Sequence, residues 1–129
     1  MTEPVWLDPE AVVAAHDEVI ARTGGASGVR DAGLLESALM RPQNRWAYEG
    51  VDRIIDLAAT YAVALAKNHP FIDGNKRAAF VGMAIFLMRN GFVLTASNPD
   101  ATATMIAVAS GQMDEDALAA WLRANTEPG

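Results

Sequence analysis

Between Ala78 and Met88 the chain reads AAFVGMAIFLM, 11 residues without a charged side chain, bounded by Lys76-Arg77 on one side and Arg89-Asn90 on the other. A helix that is apolar on every side has no face to offer water and has to be enclosed by its neighbours. A membrane would also enclose it, but a crossing helix needs roughly 20 apolar residues. The segment from about Asn75 to Asn90, stopped by Gly91, is therefore expected to be the buried central helix of a water-soluble bundle.

The rest of the chain has the periodicity to surround it. Asp8 is a plausible N-cap with Pro9 at the first helical position, and Gly24-Gly25 supply the stop. Val12, His16 and Val19 share one face of that helix, and the His16-Asp17 pair reads as surface or half-buried. TGGASGVRD, with three glycines in residues 23–31, is a loop by composition. A short helix is expected from about Asp31, with Pro42 just past its end, followed by a polar connection, QNRWAYEG. From Val51 to Asn68, the spacing of Ile54, Ala58, Tyr61 and Leu65 is helical. Pro70 requires that helix to stop near His69. FVLTA at 92–96 reads as a short extended piece. Asn98, with Pro99 after it, opens a further helix to about Gly111, and Asp114 caps a last one that buries Leu118, Trp121 and Leu122. The expected fold is all-α, about six helices in one domain over residues 1–129, with its core at about 5–124.

Composition narrows the function. With no cysteine in 129 residues, a disulfide framework, a thiolate zinc site and a cysteine nucleophile are all excluded. A formal charge of -6 argues against broad binding to nucleic-acid backbones. The first residues lack a charged segment followed by an apolar run, so a cytoplasmic protein without membrane attachment is expected.

The chemistry concentrates in HPFIDGNKR, residues 69–77. A helix N-terminus carries about half a positive charge and several unpaired N–H groups, so Lys76 and Arg77 in that first turn are misplaced by about 0.3–1 kcal/mol each. A bound polyanion reverses the sign, because phosphates accept from the N–H groups and pair with both cations. Gly74 would let the backbone approach the anion, and Asn75 would cap the helix or donate its amide to a phosphoryl oxygen. Asp73 would complete a Mg²⁺ shell otherwise made of nucleotide phosphates and waters. Histidine is the side chain that most often takes a proton from a hydroxyl near neutral pH, so His69 suits the general base. Phe71 and Ile72 read as anchors that hold the loop on the core. Taken singly, Asp-Gly-Asn reads as a turn and Lys-Arg as a solvated pair; together, opening an apolar helix, they read as a phosphate site. No P-loop or GxGxxG pattern is present.

This stretch resembles the Fic/Doc (Fido) family, and within it the Doc, or death-on-curing, toxin branch of type II toxin-antitoxin systems. The family pattern is His-Pro-Phe-x-Asp/Glu-Gly-Asn, followed by Gly-Arg in most Fic proteins and by Lys-Arg in Doc-like ones. The likeness extends to LDPEAVVAAHDEVIARTGG, GVRDAGLLESAL, WAYEG and NGFVL, in order and spacing. The resemblance implies a Fido fold and transfer of part of ATP to a protein hydroxyl. His69 would be catalytic, Asp73 would hold Mg²⁺, Gly74 and Asn75 would line the anion cradle, and Lys76 and Arg77 would bind phosphates. Most Fic proteins carry glycine where Lys76 stands and a second phosphate-binding arginine where Phe80 stands. These departures favour phosphate transfer to a translation factor of the elongation factor Tu kind over AMP transfer. Many Fic proteins also block their own ATP site with [Ser/Thr]-x-x-x-Glu-[Gly/Asn]; here Arg45 stands four residues before Glu49-Gly50, so a separate antitoxin is the implied brake. The loop region 24–50 is the candidate flap for a target peptide. The non-enzymatic rival is a catalytically silent module that binds nucleotide or antitoxin.

Overall fold

The computed structural model describes residues 2–129, which form six helices and two short strands. Helix α1 spans Pro9–Thr23, α2 Ala32–Tyr48, α3 Ile54–Asn68, α4 Asn75–Arg89, α5 Asn98–Ala109 and α6 Glu115–Ala124. Strand β1, Phe92–Leu94, pairs antiparallel with β2, Thr126–Pro128, with Val93 opposite Glu127. The all-α expectation stands; the extended piece after Gly91 is β1, and β2 is an element the sequence reading lacked.

Two of the expected caps, Asp8 and Asp114, operate as such, and Asp31, read only as the start of a helix, caps α2. The Asp8 side chain accepts from the Glu10 N–H at 2.9 Å, Asp31 from Leu34 at 3.0 Å and Asp114 from Ala117 at 2.8 Å. Each satisfies a donor that a helix start leaves without a partner. At α5 the cap is Ser97 instead of Asn98, and at α3 Arg53 precedes the first turn without a side-chain cap, three residues after the expected start at Val51.

Helix α2 departs most from expectation. Pro42 lies inside it, and residues 43–48, expected as a polar connection, continue the helix to Tyr48. Proline removes one helical hydrogen bond and crowds the preceding turn, so the second half has to be held from outside. Arg45 pairs with Glu115 of α6 and donates to the Thr60 hydroxyl of α3 at 3.0 Å. Arg41 and Arg45 both bond Glu49, at 3.1 and 3.3 Å, and the Arg41 guanidinium, the larger influence, holds that carboxyl below the usual carboxylate range. Trp46 packs edge-on against Trp6, with centroids 6.0 Å apart, while Tyr48 stays exposed.

The helices α3 and α4 form an antiparallel hairpin at the centre. Gly82 permits the contact: a Cβ there would lie 3.1 Å from Leu65 Cδ1. Helix α4 is central, with Ala78, Ala79, Gly82, Met83, Phe86 and Leu87 buried, but it is not enclosed on every side. Val81 and Ile85 are half-buried and Met88 is exposed, a stripe at helical spacing that its neighbours do not fully cover. Helix α3 is the more enclosed, with nine buried residues. The entering chain closes the bundle. Trp6 stacks on Phe86, and the Leu7 N–H donates to the buried Tyr61 hydroxyl at 3.1 Å. Leu118 and Leu122 of α6 are buried as expected, whereas Trp121 is only partly so.

Candidate active site

The α3–α4 connection, residues 69–74, brings the C-terminus of one core helix beside the N-terminus of the next. With Pro70 after it, His69 leaves the helical region and takes φ 48° and ψ 54°, the one non-glycine residue at positive φ among those described. An L-residue held there costs about 1–2 kcal/mol. Arg30 holds it: its Nε and Nη2 donate to the His69 carbonyl at 2.9 and 2.6 Å, and Nη2 also reaches the Asn68 carbonyl at 3.2 Å. A guanidinium on the last carbonyls of a helix meets both their unpaired acceptors and the negative end of its dipole. The imidazole itself is exposed.

Residues 28–31 run alongside the loop. Arg30 and Asp31 N–H groups donate to the Pro70 carbonyl at 2.7 and 3.1 Å, and Ile72 N–H donates to the Gly28 carbonyl at 3.1 Å. Val29 and Phe71 form the bridge between them. The connecting segment beside the site is thus 24–31; the larger part of the 24–50 flap candidate is helix α2.

Phe71 is an anchor, 1% exposed, whereas Ile72 is 56% exposed and anchors nothing. Asn75 does not use its amide as expected. Its Oδ1 accepts from Phe71 N–H at 2.9 Å and its Nδ2 donates to the Phe71 carbonyl at 3.0 Å, so the amide ties the loop to α4. It does not cap the helix, whose cap position is Gly74.

Gly74 occupies the cap position of α4 at φ 72°, where a Cβ would lie 3.0 Å from Ile20 Cδ1. Both the backbone angle and the close approach call for glycine. No side chain caps α4, and its first turn holds no acidic residue. Lys76 is exposed there, while Arg77 is half-buried and donates to the Thr23 hydroxyl at the end of α1. Asp73 is exposed; its Oδ1 accepts from the Gly74 N–H at 2.8 Å. A groove of about 310 Å³ begins at Lys76 and Arg77 and runs between α4 and α5, lined by Phe80, Val81, Met105 and Ile106. His69 and Asp73 lie outside its walls.

The arrangement fits an anion with its cation. The uncapped helix start, the bare Gly74 and two cations offer donors and positive charge, beside one carboxylate. Among the described residues no three His, Asp or Glu side chains cluster to hold a metal. A Mg²⁺ ion at Asp73 would therefore draw its other ligands from phosphates and water, as this ion commonly does.

Two contributors escaped the sequence. His16, read as a surface or half-buried residue, is 1% exposed; its Nε2 bonds the Asp73 carbonyl at 2.6 Å and its ring stacks on Phe71 at 3.9 Å. Arg30 is the other. Both act across long separations in the chain, and neither carries a local signal of its partner.

Residues 6–87 match the Fic/DOC family, and the chain belongs to it. It is similar to the protein kinase Doc of Escherichia phage P1, 38% identical over 117 residues that cover 91% of this chain and 92% of the relative. It is also similar to the toxin Doc of Mycolicibacterium smegmatis, 40% identical over 125 residues, covering 95% and 92%.

Proposed function

We propose that this chain is a Doc-type toxin that uses ATP to phosphorylate a hydroxyl of a translation factor of the elongation factor Tu kind, and that a separate antitoxin neutralises it. The observation that carries the proposal is the start of α4, uncapped and without an acidic residue, with Lys76 and Arg77 in its first turn and Asp73 just ahead. In the absence of a ligand that charge pattern opposes the helix dipole; with a triphosphate present it complements it. The names of the two relatives, a protein kinase and a toxin, support the same reading.

His69 is the general base. Its exposed ring takes the hydroxyl proton of the target, the oxygen forms a bond to the γ-phosphorus, and the bond to the bridging β–γ oxygen breaks to release ADP. Lys76 and Arg77 bind the phosphates, Gly74 leaves room for them, and Asp73 holds Mg²⁺, which would neutralise charge on the phosphoryl oxygens. Asn75 serves by holding the loop. Phosphate transfer is preferred to AMP transfer because Lys76 and Phe80 stand where AMP-transferring relatives carry a glycine and a second arginine.

The test is mass spectrometry of translation factors after incubation with the protein, Mg²⁺ and ATP. One phosphate on a single hydroxyl, with label from γ-labelled and none from α-labelled ATP, is the expected result. Label from the α-position would assign AMP transfer instead, and no modification with bound nucleotide would assign a silent binding module.

A further inference from the structure

We infer that His16 is a positioning residue for Asp73, holding the Asp73–Gly74 peptide in the one orientation that turns the carboxylate toward the nucleotide site. The inference rests on the nucleotide reading above for its consequence, but its geometry stands apart from it.

The Asp73 carbonyl can only accept, so His16 Nε2, at 2.6 Å, has to carry the proton. His16 Nδ1 is then left buried without a hydrogen-bond partner; the nearest acidic oxygen, Asp17 Oδ1, lies 4.0 Å away. A side chain kept for packing alone would be better apolar, since phenylalanine fills the same stack on Phe71 and orphans no nitrogen. The imidazole is explained by its donor.

That donor sets the polarity of one peptide. A trans peptide directs its C=O and N–H to opposite sides. With the Asp73 carbonyl drawn inward to His16, the Gly74 N–H points outward, where Asp73 Oδ1 accepts it at 2.8 Å. Flipping the peptide would set a carbonyl oxygen against the Asp73 carboxylate and turn an acceptor toward the place where phosphates would lie. The glycine at 74 makes such a flip sterically accessible, because its φ of 72° suits a residue free on both sides of the map. Gly25 completes the seat: a Cβ there would come within 2.5 Å of Asp73 Oδ2, so the carboxylate occupies the space a side chain would take.

The experiment compares His16→Phe and His16→Gln with the wild-type chain. Phenylalanine keeps the stack and loses the donor; glutamine returns an N–H at about the reach of Nε2. Calorimetry with Mg²⁺·ATP should show His16→Phe binding about tenfold or more weakly, at the low end of what loss of a ligand-orienting partner costs a metal site. His16→Gln should recover most of that loss. The Gly74 amide, read by NMR, should move in His16→Phe and return in His16→Gln while the other core amides hold. Unchanged affinity in a folded His16→Phe, or no recovery in His16→Gln, would overturn the assignment. If His16→Phe does not fold, the wild type decides: a proton on Nε2 coupled across the hydrogen bond to the Asp73 carbonyl is expected, and an unprotonated Nε2 refutes it. Failure of the wild type to bind Mg²⁺·ATP would count against the nucleotide reading, and the Nε2 signal would then decide the positioning of Asp73 alone.

Discussion

Arg30 and His69, 39 positions apart, are joined through the carbonyl of His69, which accepts from both Nε and Nη2 of the guanidinium. The histidine so held is the one non-glycine residue at positive φ among those described. Arg30→Ala should release it, lowering stability by about 1–2 kcal/mol in urea denaturation and phosphate transfer by about tenfold or more. Arg30→Lys, which offers a point charge in place of a fork, should recover stability better than turnover.

His69→Gly separates the chemistry from the strain. Glycine adopts φ 48° without a steric penalty, so the variant should lose transfer and growth arrest together while gaining about 0.5–1 kcal/mol of stability, the relief of strain being partly offset by the entropy of a freer unfolded chain. His69→Ala, expressed without antitoxin, should likewise relieve the growth defect. Equal toxicity of the wild type and His69→Ala would remove His69 from the catalytic role.

Gly25→Ala should act on the Mg²⁺ site proposed at Asp73. The added Cβ displaces Asp73 Oδ2, and φ 114° at Gly25 is one that L-residues rarely adopt. The Mg²⁺ concentration for half-maximal transfer should rise by about tenfold, with a smaller change in the affinity for ATP measured without metal.

Tyr61 supplies a pH signature of the core. Burial pushes its hydroxyl up to about 12, against 10.0 for the free side chain, an effect larger than the opposing hydrogen bond from Leu7. Below pH 10 both folded and unfolded chains keep the proton, and the contribution is complete. Between pH 10 and 12 the unfolded chain loses it while the folded one does not, so stability falls with rising pH, by about 2–3 kcal/mol in total. Tyr61→Phe should flatten that part of the alkaline profile. At neutral pH it should cost about 1–2 kcal/mol, because the Leu7 N–H loses its acceptor.

The parts of this fold that a reader of the chain can see are those decided within a few residues. Asp8, Asp31 and Asp114 announce helix starts because a cap and the N–H it satisfies are two or three positions apart. His69 and Asp73 through Arg77 stand out for the same reason: they share one loop and one helix turn. Pro42 misleads because its cost is offset by Arg45 and Trp46 reaching α6, α3 and Trp6, contacts that no local rule contains. Strand β2 exists only because β1 lies beside it. The bonds of Asn75 to the backbone of Phe71 were not legible, since any asparagine near a helix start looks like a cap. His16 reads as half of an ordinary polar pair until the fold closes the 57 positions between it and Asp73.

The hydrogen bonds between residues 28–31 and residues 70–72 carry a consequence for how this protein comes apart. Neither strip has a ladder of its own; each supplies the acceptors for the other's donors. Detaching the 28–31 segment would release the carbonyls of Pro70 and His69 at once, and with them the hold on the His69 backbone. Order in the two strips is thus gained or lost as one cooperative unit. A partner that pried up only residues 28–31 would unseat His69 without ever touching the start of α4.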